Sequence, residues 1–196
     1  VLAMVEKAHG ELKKSFLTSV QVFAGLSELR VGQSGGAQAG HGRRVADWAR
    51  NLAHRLEVGE AEVQNVMLAG LLHDIGKLGL PDELLSKPFN MLTADQRAQV
   101  MKHPQIGQNL LMAIERFKDV ATLVRHHHEC FDGSGYPDRL AGMAIPLGAR
   151  ILSVVNDYDS LQIGPLVQRP LRPEEALAFL IDNRGKRYDP AVVDAF

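Results

Sequence analysis

The sequence predicts an all-helical chain, and three observations carry that prediction. Apolar residues recur at spacings of three and four in successive segments, the signature of amphipathic helices. Glycines, prolines and one capping pattern fall between those segments and punctuate them. No stretch alternates apolar and polar residues as a half-buried strand would. At 196 residues, with 45% hydrophobic and 23% charged, the chain is long enough for one domain with a sizeable core.

The first helical pattern, in residues 1–30, runs through Leu2, Val5, Leu12, Phe16, Phe23 and Leu26, with His9 as a polar interruption. It reads either as a linker or signalling helix meeting an upstream domain or a second subunit, or as a helix packed on the domain's own core. Gly10 and Gly25 weaken the coiled-coil version. Glycines then crowd residues 32–40, which read as a flexible loop opening the main domain at 31–196. The next helix, about 41–56, places His41 at the head of a stripe of Val45, Trp48, Ala49, Leu52 and Leu56. A single histidine there reads first as structural.

After Gly59 a central helix is expected to run to about Lys77, ended by Gly79 and Pro81. On a helical wheel Leu68, Leu71, Leu72 and Ile75 share one stripe, while Gly70, His73, Asp74 and Lys77 fall opposite. The glycine leaves room for something bulky beside an imidazole and a carboxylate. Residues 81–92 form a turn-rich connection, and Thr93 with Gln96 makes a capping box for a helix that stops before His103-Pro104. Pro104 can open the helix that follows at its first position, which puts His103 at a junction.

A later helix buries Val120, Leu123 and Val124, continued by His127 with His128 on its shoulder, while His126 points away. Two inward histidines need partners, because a buried unpaired polar group costs about 1–3 kcal/mol. A turn-rich loop, Cys130 to Pro137, comes next; its glycines make it a mobile rim that presents Tyr136. The last long helix, about 147–162, buries Leu147, Ile151, Val154, Tyr158 and Leu161, with Arg150 and Asp157 on one flank. Residues 163–173 form a proline-bearing loop that carries Arg169 and Arg172, before a helix from Glu174 to Asp182 and a short tail.

Composition narrows the function. A formal net charge of −1 gives no overall pull towards nucleic-acid polymers or anionic membranes, so any phosphate-binding charge has to be local. A single cysteine, Cys130, excludes an internal disulfide and suits a reducing cytoplasm. No apolar run has the length of a membrane span and no signal peptide is visible. The opening at Val1, in mid-helix pattern, reads as a piece of a longer chain. Taken together, His41, His73, Asp74, His103, His127, His128 and Asp157 offer more ligands than one metal needs and about enough for two. Two divalent ions roughly 3.5–4 Å apart can clamp a phosphoryl group and activate water.

The run His41…His73-Asp74-Ile75-Gly76-Lys77…His103-Pro104…His127-His128-Glu129…Asp132-Gly133-Ser134-Gly135-Tyr136-Pro137…Asp157 resembles the HD-GYP domain, a branch of the HD metal-dependent phosphohydrolases. Both of the family's signatures are complete, and the likeness covers about residues 41–190. It implies an HD-domain-like helical bundle with a metal site at its centre. It also implies hydrolysis of cyclic di-GMP to pGpG or GMP, in bacterial second-messenger signalling of the two-component kind. By the resemblance all seven residues just collected are metal ligands for two divalent transition-metal ions, iron or manganese first, with nickel or zinc as alternatives. Asp74 and Lys77 are the catalytic pair, and Tyr136, Arg169 and Arg172 lie near the substrate. The family's habits add an upstream receiver or sensor domain, and the first helix adds a homodimer contact.

Four departures qualify the likeness. The position four before His41, often a glutamate in relatives with a third metal, is Ala37. The usual Asp-Ala-Leu is Asp159-Ser160-Leu161, the usual Arg-Pro-Tyr is Arg169-Pro170-Leu171, and the loop before Arg169 is longer. The first argues for two metals rather than three. The others keep open a rival of another class, a weakly active or inactive regulatory module that holds metal and nucleotide and acts through protein contacts.

Overall fold

The computed structural model describes residues 7, 10, 11, 14, 15, 18–26, 40–87, 89–163 and 169–196. The calls on Leu2, Val5, His9, Leu12, Phe16 and Ala37, and on the glycines from Gly32 to Gly36, fall outside these residues. Within them the chain is helical as expected; its only strand-like feature is an isolated bridge between Arg184 and Tyr188. No helix among the described residues is long and apolar enough to cross a membrane.

Helix α1 is described over residues 18–26. Val20 and Ala24 turn to the core, whereas Phe23 and Leu26, from the expected apolar stripe, are more than half exposed. Helix α2 (His41–Arg55) starts from Gly40 in the left-handed region, φ 73°, a conformation that glycine adopts without strain. It buries Val45, Ala49 and Leu52 as the stripe requires, with Trp48 at the rim, edge-on to Tyr158 and Phe196.

Helix α3 (Glu60–Leu72) carries Glu60 and Glu62 in its first turn, where acidic groups suit the positive end of the helix dipole. It packs on α2, α7 (Lys118–His126) and α8 (Leu147–Ile163), and that environment changes two expectations. Gly70 does not make room for a ligand: a Cβ there would lie 2.8 Å from the Ala46 Cα, so the missing side chain lets α2 and α3 approach. The helix also stops at Leu72, well before Lys77, and the chain tightens into a 3-10 turn over Ile75–Gly79. The tightening follows from Gly76, whose added Cβ would sit 1.9 Å from the His103 carbonyl; the turn is pressed against the start of α6.

Short helix α4 (Asp82–Leu85) leads to α5 (Ala94–Val100), which has the expected Thr93–Gln96 capping box. Helix α6 (His103–Met112) follows with His103 buried and Pro104 one position later than expected. Helix α8 is the true centre: residues 148–157 and 159–161 are all buried, polar ones included, so it is covered most of the way round. A single stripe understates it, and Leu147 and Tyr158 are only partly covered. It is packed by α2, α3, α7, α9 (Pro173–Asp182) and α10 (Pro190–Ala195). The polar flank of α8 is tied off by the chain's end. Arg150 pairs with Asp189 at 2.5 Å, and Asp189 in turn accepts from the Ala191 N–H at the head of α10.

Candidate metal centre

Helix ends build the centre. The end of α3 delivers His73 and Asp74, the start of α6 His103, the end of α7 His127 and His128, and the start of α2 His41. Their donor atoms fall into two groups, His41/His73/Asp74 and His103/His127/His128, each with all ligand atoms within 4.8 Å of one another. Each helix terminus leaves backbone carbonyls or N–H groups without intrahelical partners. The His73 Nδ1 donates to the Gly70 carbonyl (2.8 Å), His103 Nδ1 to Val100 (2.8 Å) and His127 Nδ1 to Val124 (2.6 Å). A carbonyl can only accept, so the proton sits on Nδ1 and each Nε2 keeps its lone pair.

Those lone pairs are left bare. Nε2 of His73, of His103 and of His127 is buried without a hydrogen-bond partner. Orphaned buried acceptors cost roughly 1–3 kcal/mol each, a cost that a metal ion removes. Burial keeps the rings neutral. It pulls His73 down, His103 to about 4, and His127 and His128 well below their ordinary value, with neighbouring imidazoles adding to the effect. Neutral imidazole is the form that binds metal.

Asp74 lies between the groups. Its Oδ2 is 3.6 Å from His73 Nε2 and its Oδ1 is 3.5 Å from His103 Nε2, too long for hydrogen bonds but suited to one carboxylate facing both groups. Burial raises its pKa, yet the Lys77 ammonium and the surrounding histidines outweigh that and hold it well below the usual carboxylate range. Lys77 Nζ donates to Asp74 Oδ2 at 2.7 Å. The donor set, imidazoles plus a carboxylate with their outer nitrogens fixed, fits divalent transition metals.

His41, read first as structural, joins the first group. Its ring is held by Asp159, which accepts from His41 Nδ1 (2.6 Å) and from Arg44 Nε and Nη2 (2.7 and 2.9 Å), while Asn156 Oδ1 lies 3.1 Å from Nε2. Asp157 stands apart from both groups. Its Oδ2 accepts from Arg187 Nε (2.5 Å) and the Tyr188 hydroxyl (2.8 Å), and its Oδ1 meets only a 3.4 Å approach from Asn156.

The Gly-Tyr-Pro loop is pinned rather than left as a free rim. Buried Glu129 accepts from the Asp138 and Leu140 N–H groups (2.7 and 3.1 Å), and Arg125 and His126 grip the Asp138 carboxylate. Gly135 is required by close approach, since a Cβ there would lie 2.2 Å from the Cys130 nitrogen. Tyr136 stacks on His128 at 4.9 Å, so the loop reaches the second group. Arg169 and Arg172 are exposed and meet at Glu175: Arg169 pairs with its carboxylate at 3.0 Å, and the Arg172 N–H donates to it at 2.9 Å. Among the described contacts none joins either arginine to the histidine groups.

Arg44, Arg187 and Tyr188 were not named from the sequence, and Glu129 and Asp159 appeared there only inside quoted motifs, with no role assigned. Asp159 and Arg44 lie close in sequence to ligands and could have been paired with them by helical spacing. Nothing in a basic turn far along the chain pointed Arg187 at Asp157.

Comparison with known proteins bears on the family and the fold. The HD domain family matches residues 33–192. The chain is 42% identical over 154 residues to the cyclic di-GMP phosphodiesterase response regulator RpfG of Xanthomonas campestris, covering 78% of this chain and 40% of that protein. It is 32% identical over 186 residues to 3'3'-cGAMP-specific phosphodiesterase 2 of Vibrio cholerae, covering 94% of this chain and 35% of that one. The chain thus spans well under half of these relatives. A crystal structure of a cyclic GMP-AMP specific phosphodiesterase from Vibrio cholerae superposes with a TM-score of 0.69 at 20% identity, over 90% of this chain and 47% of that one, which speaks for the fold. By family match, signatures and paired histidine groups, the chain belongs to the HD domain family, in its HD-GYP branch.

Proposed function

We propose that this domain is a metal-dependent phosphodiesterase that hydrolyses cyclic di-GMP to pGpG or GMP. The observation that carries the reading is the set of bare, buried Nε2 lone pairs ranged on either side of Asp74. His41, His73 and Asp74 would hold one divalent ion and His103, His127 and His128 a second, with Asp157 a further ligand through the oxygen that Arg187 and Tyr188 leave open. Iron or manganese suits these donors first, nickel or zinc next. When bound, such ions supply an activated water and neutralise phosphodiester oxygens.

The chain's own residues do the rest. Lys77, anchored on Asp74, would meet a phosphate or leaving oxygen, and Tyr136, its ring stacked on His128, would contact the nucleotide. Arg169 and Arg172 would meet the nucleotide by leaving Glu175. A cytoplasmic setting, an upstream receiver or sensor domain and dimerisation through the first helix belong to the same reading; the exposed Val22, Phe23 and Leu26 support the last.

The test is turnover of cyclic di-GMP by protein loaded anaerobically with Fe²⁺ or Mn²⁺, with product analysis and 3'3'-cGAMP as competing substrate. Turnover that disappears in the His73→Ala, Asp74→Ala double variant supports the reading. Preference for 3'3'-cGAMP moves the substrate within the cyclic dinucleotides. Tight nucleotide binding without turnover favours the regulatory module, for which the engagement of Asp157 by Arg187 and Tyr188 speaks.

A further inference from the structure

The turn between α9 and α10 brings a cation outside the family's signatures to Asp157 and to the root of the Gly-Tyr-Pro loop. Residues 186 and 187 are bonded to the root of the Gly-Tyr-Pro loop: the Asp132 N–H donates to the Lys186 carbonyl (2.8 Å) and the Phe131 N–H to the Arg187 carbonyl (3.1 Å). Arg187 therefore stands beside the loop that stacks Tyr136 on His128. Its Nε is fixed on Asp157 Oδ2, the oxygen that the Tyr188 hydroxyl also holds. Asp157 and Tyr188 are 2% and 1% exposed, so the anchor is rigid and buried. The Arg187 side chain nevertheless keeps 38% of its surface open.

A guanidinium has five N–H donors, and the bond to Asp157 takes only Nε, while the guanidinium carbon lies 5.7 Å from the centre of the Tyr188 ring. The planar fork suits two oxygens of a phosphate at once. Lys77 is committed to Asp74, between the groups. A cyclic dinucleotide carries two phosphodiesters, so cleaving one leaves a second negative charge to be met locally.

We propose that Arg187 binds the phosphodiester that is not being cleaved, which makes it a residue that selects a cyclic dinucleotide over a single diester. The proposal rests on the phosphodiesterase reading above. Two substrates and one non-hydrolysed probe separate the two. In metal-loaded Arg187→Gln, affinity for a phosphorothioate analogue of cyclic di-GMP that resists cleavage should fall roughly 10- to 100-fold, the worth of a charged hydrogen-bonded contact. The KM for cyclic di-GMP should rise by a similar factor with kcat little changed. Metal content, and turnover of bis(p-nitrophenyl) phosphate with its single diester, should stay as in the wild type. Arg187→Lys should recover part of the affinity.

Unchanged affinity in Arg187→Gln overturns the assignment. So does a fall in metal content, or an equal loss of kcat on both substrates, which makes Arg187 only a support for Asp157. Wild-type protein that neither binds nor cleaves cyclic dinucleotides overturns the parent reading, and this one with it.

Discussion

Three imidazoles that spend Nδ1 on a carbonyl three residues back, and so leave Nε2 bare, carry the account at the level of single residues. The same arrangement fixes a pH dependence. Burial holds the His103 pKa at about 4 in the folded chain, below its ordinary 6.5. Between those values the unfolded chain takes up a proton that the folded ring refuses, so stability of the metal-free protein falls as pH falls through that window and is level above it. Urea midpoints of chelated protein from pH 7.5 to 4.5 should decline below about 6.5; a flat profile contradicts the buried neutral rings. Lys77 is the other residue to test singly. It contacts Asp74 from a partly open position, so Lys77→Ala should keep metal and melting temperature while losing about 10²–10³ in turnover. Undiminished turnover removes its catalytic role, and a collapsed melting temperature makes it structural.

At the level of elements, the site depends on how closely the helix ends meet. Gly76 lets the 3-10 turn after α3 lie against the first residue of α6, which brings Asp74 and His103 together. Gly76→Ala drives a Cβ into backbone, which cannot give as a side chain can. It should cost about 1–3 kcal/mol or more and lower metal affinity by parting His103 from Asp74. Affinity and melting temperature equal to wild type would show that the contact is not needed. The grouped histidines and Asp74, His41 aside, stood out in the sequence because such side chains at helix ends interrupt an apolar pattern. The end of α3 was not, since periodicity continues past Leu72 while a distant backbone contact at Gly76 sets the turn. Gly70 misled for the same reason: its neighbour is Ala46 of α2, which no local pattern reveals. The burial of α8 on nearly every face was also hidden, because Ser153, Asn156, Asp157 and Asp159 read as a polar flank yet are covered by partners far along the chain.

For the whole molecule, packing of α2, α3 and α7 around α8, with α6 laid on α7 and on the turn after α3, brings their ends to one centre, and the C-terminal turn closes it through Arg150–Asp189 and Arg187–Asp157. That convergence gives ligand groups for two ions among the described residues. A third ion would need a carboxylate near His41; the position four residues before it is Ala37, which has no donor atom. Removing the orphaned lone pairs also couples metal to stability. Free metal at 100 times its Kd adds about 2.7 kcal/mol, roughly 5–10 °C in Tm for a chain of this size. The most direct measurement is the metal-to-protein ratio of anaerobically loaded protein, taken together with its melting temperature. The account predicts two ions per chain and a raised Tm, both lost in the His73→Ala, Asp74→Ala double variant. One ion or none would contradict the paired groups, a third at full occupancy would contradict the argument from Ala37, and an unchanged ratio in the double variant would put the metals elsewhere.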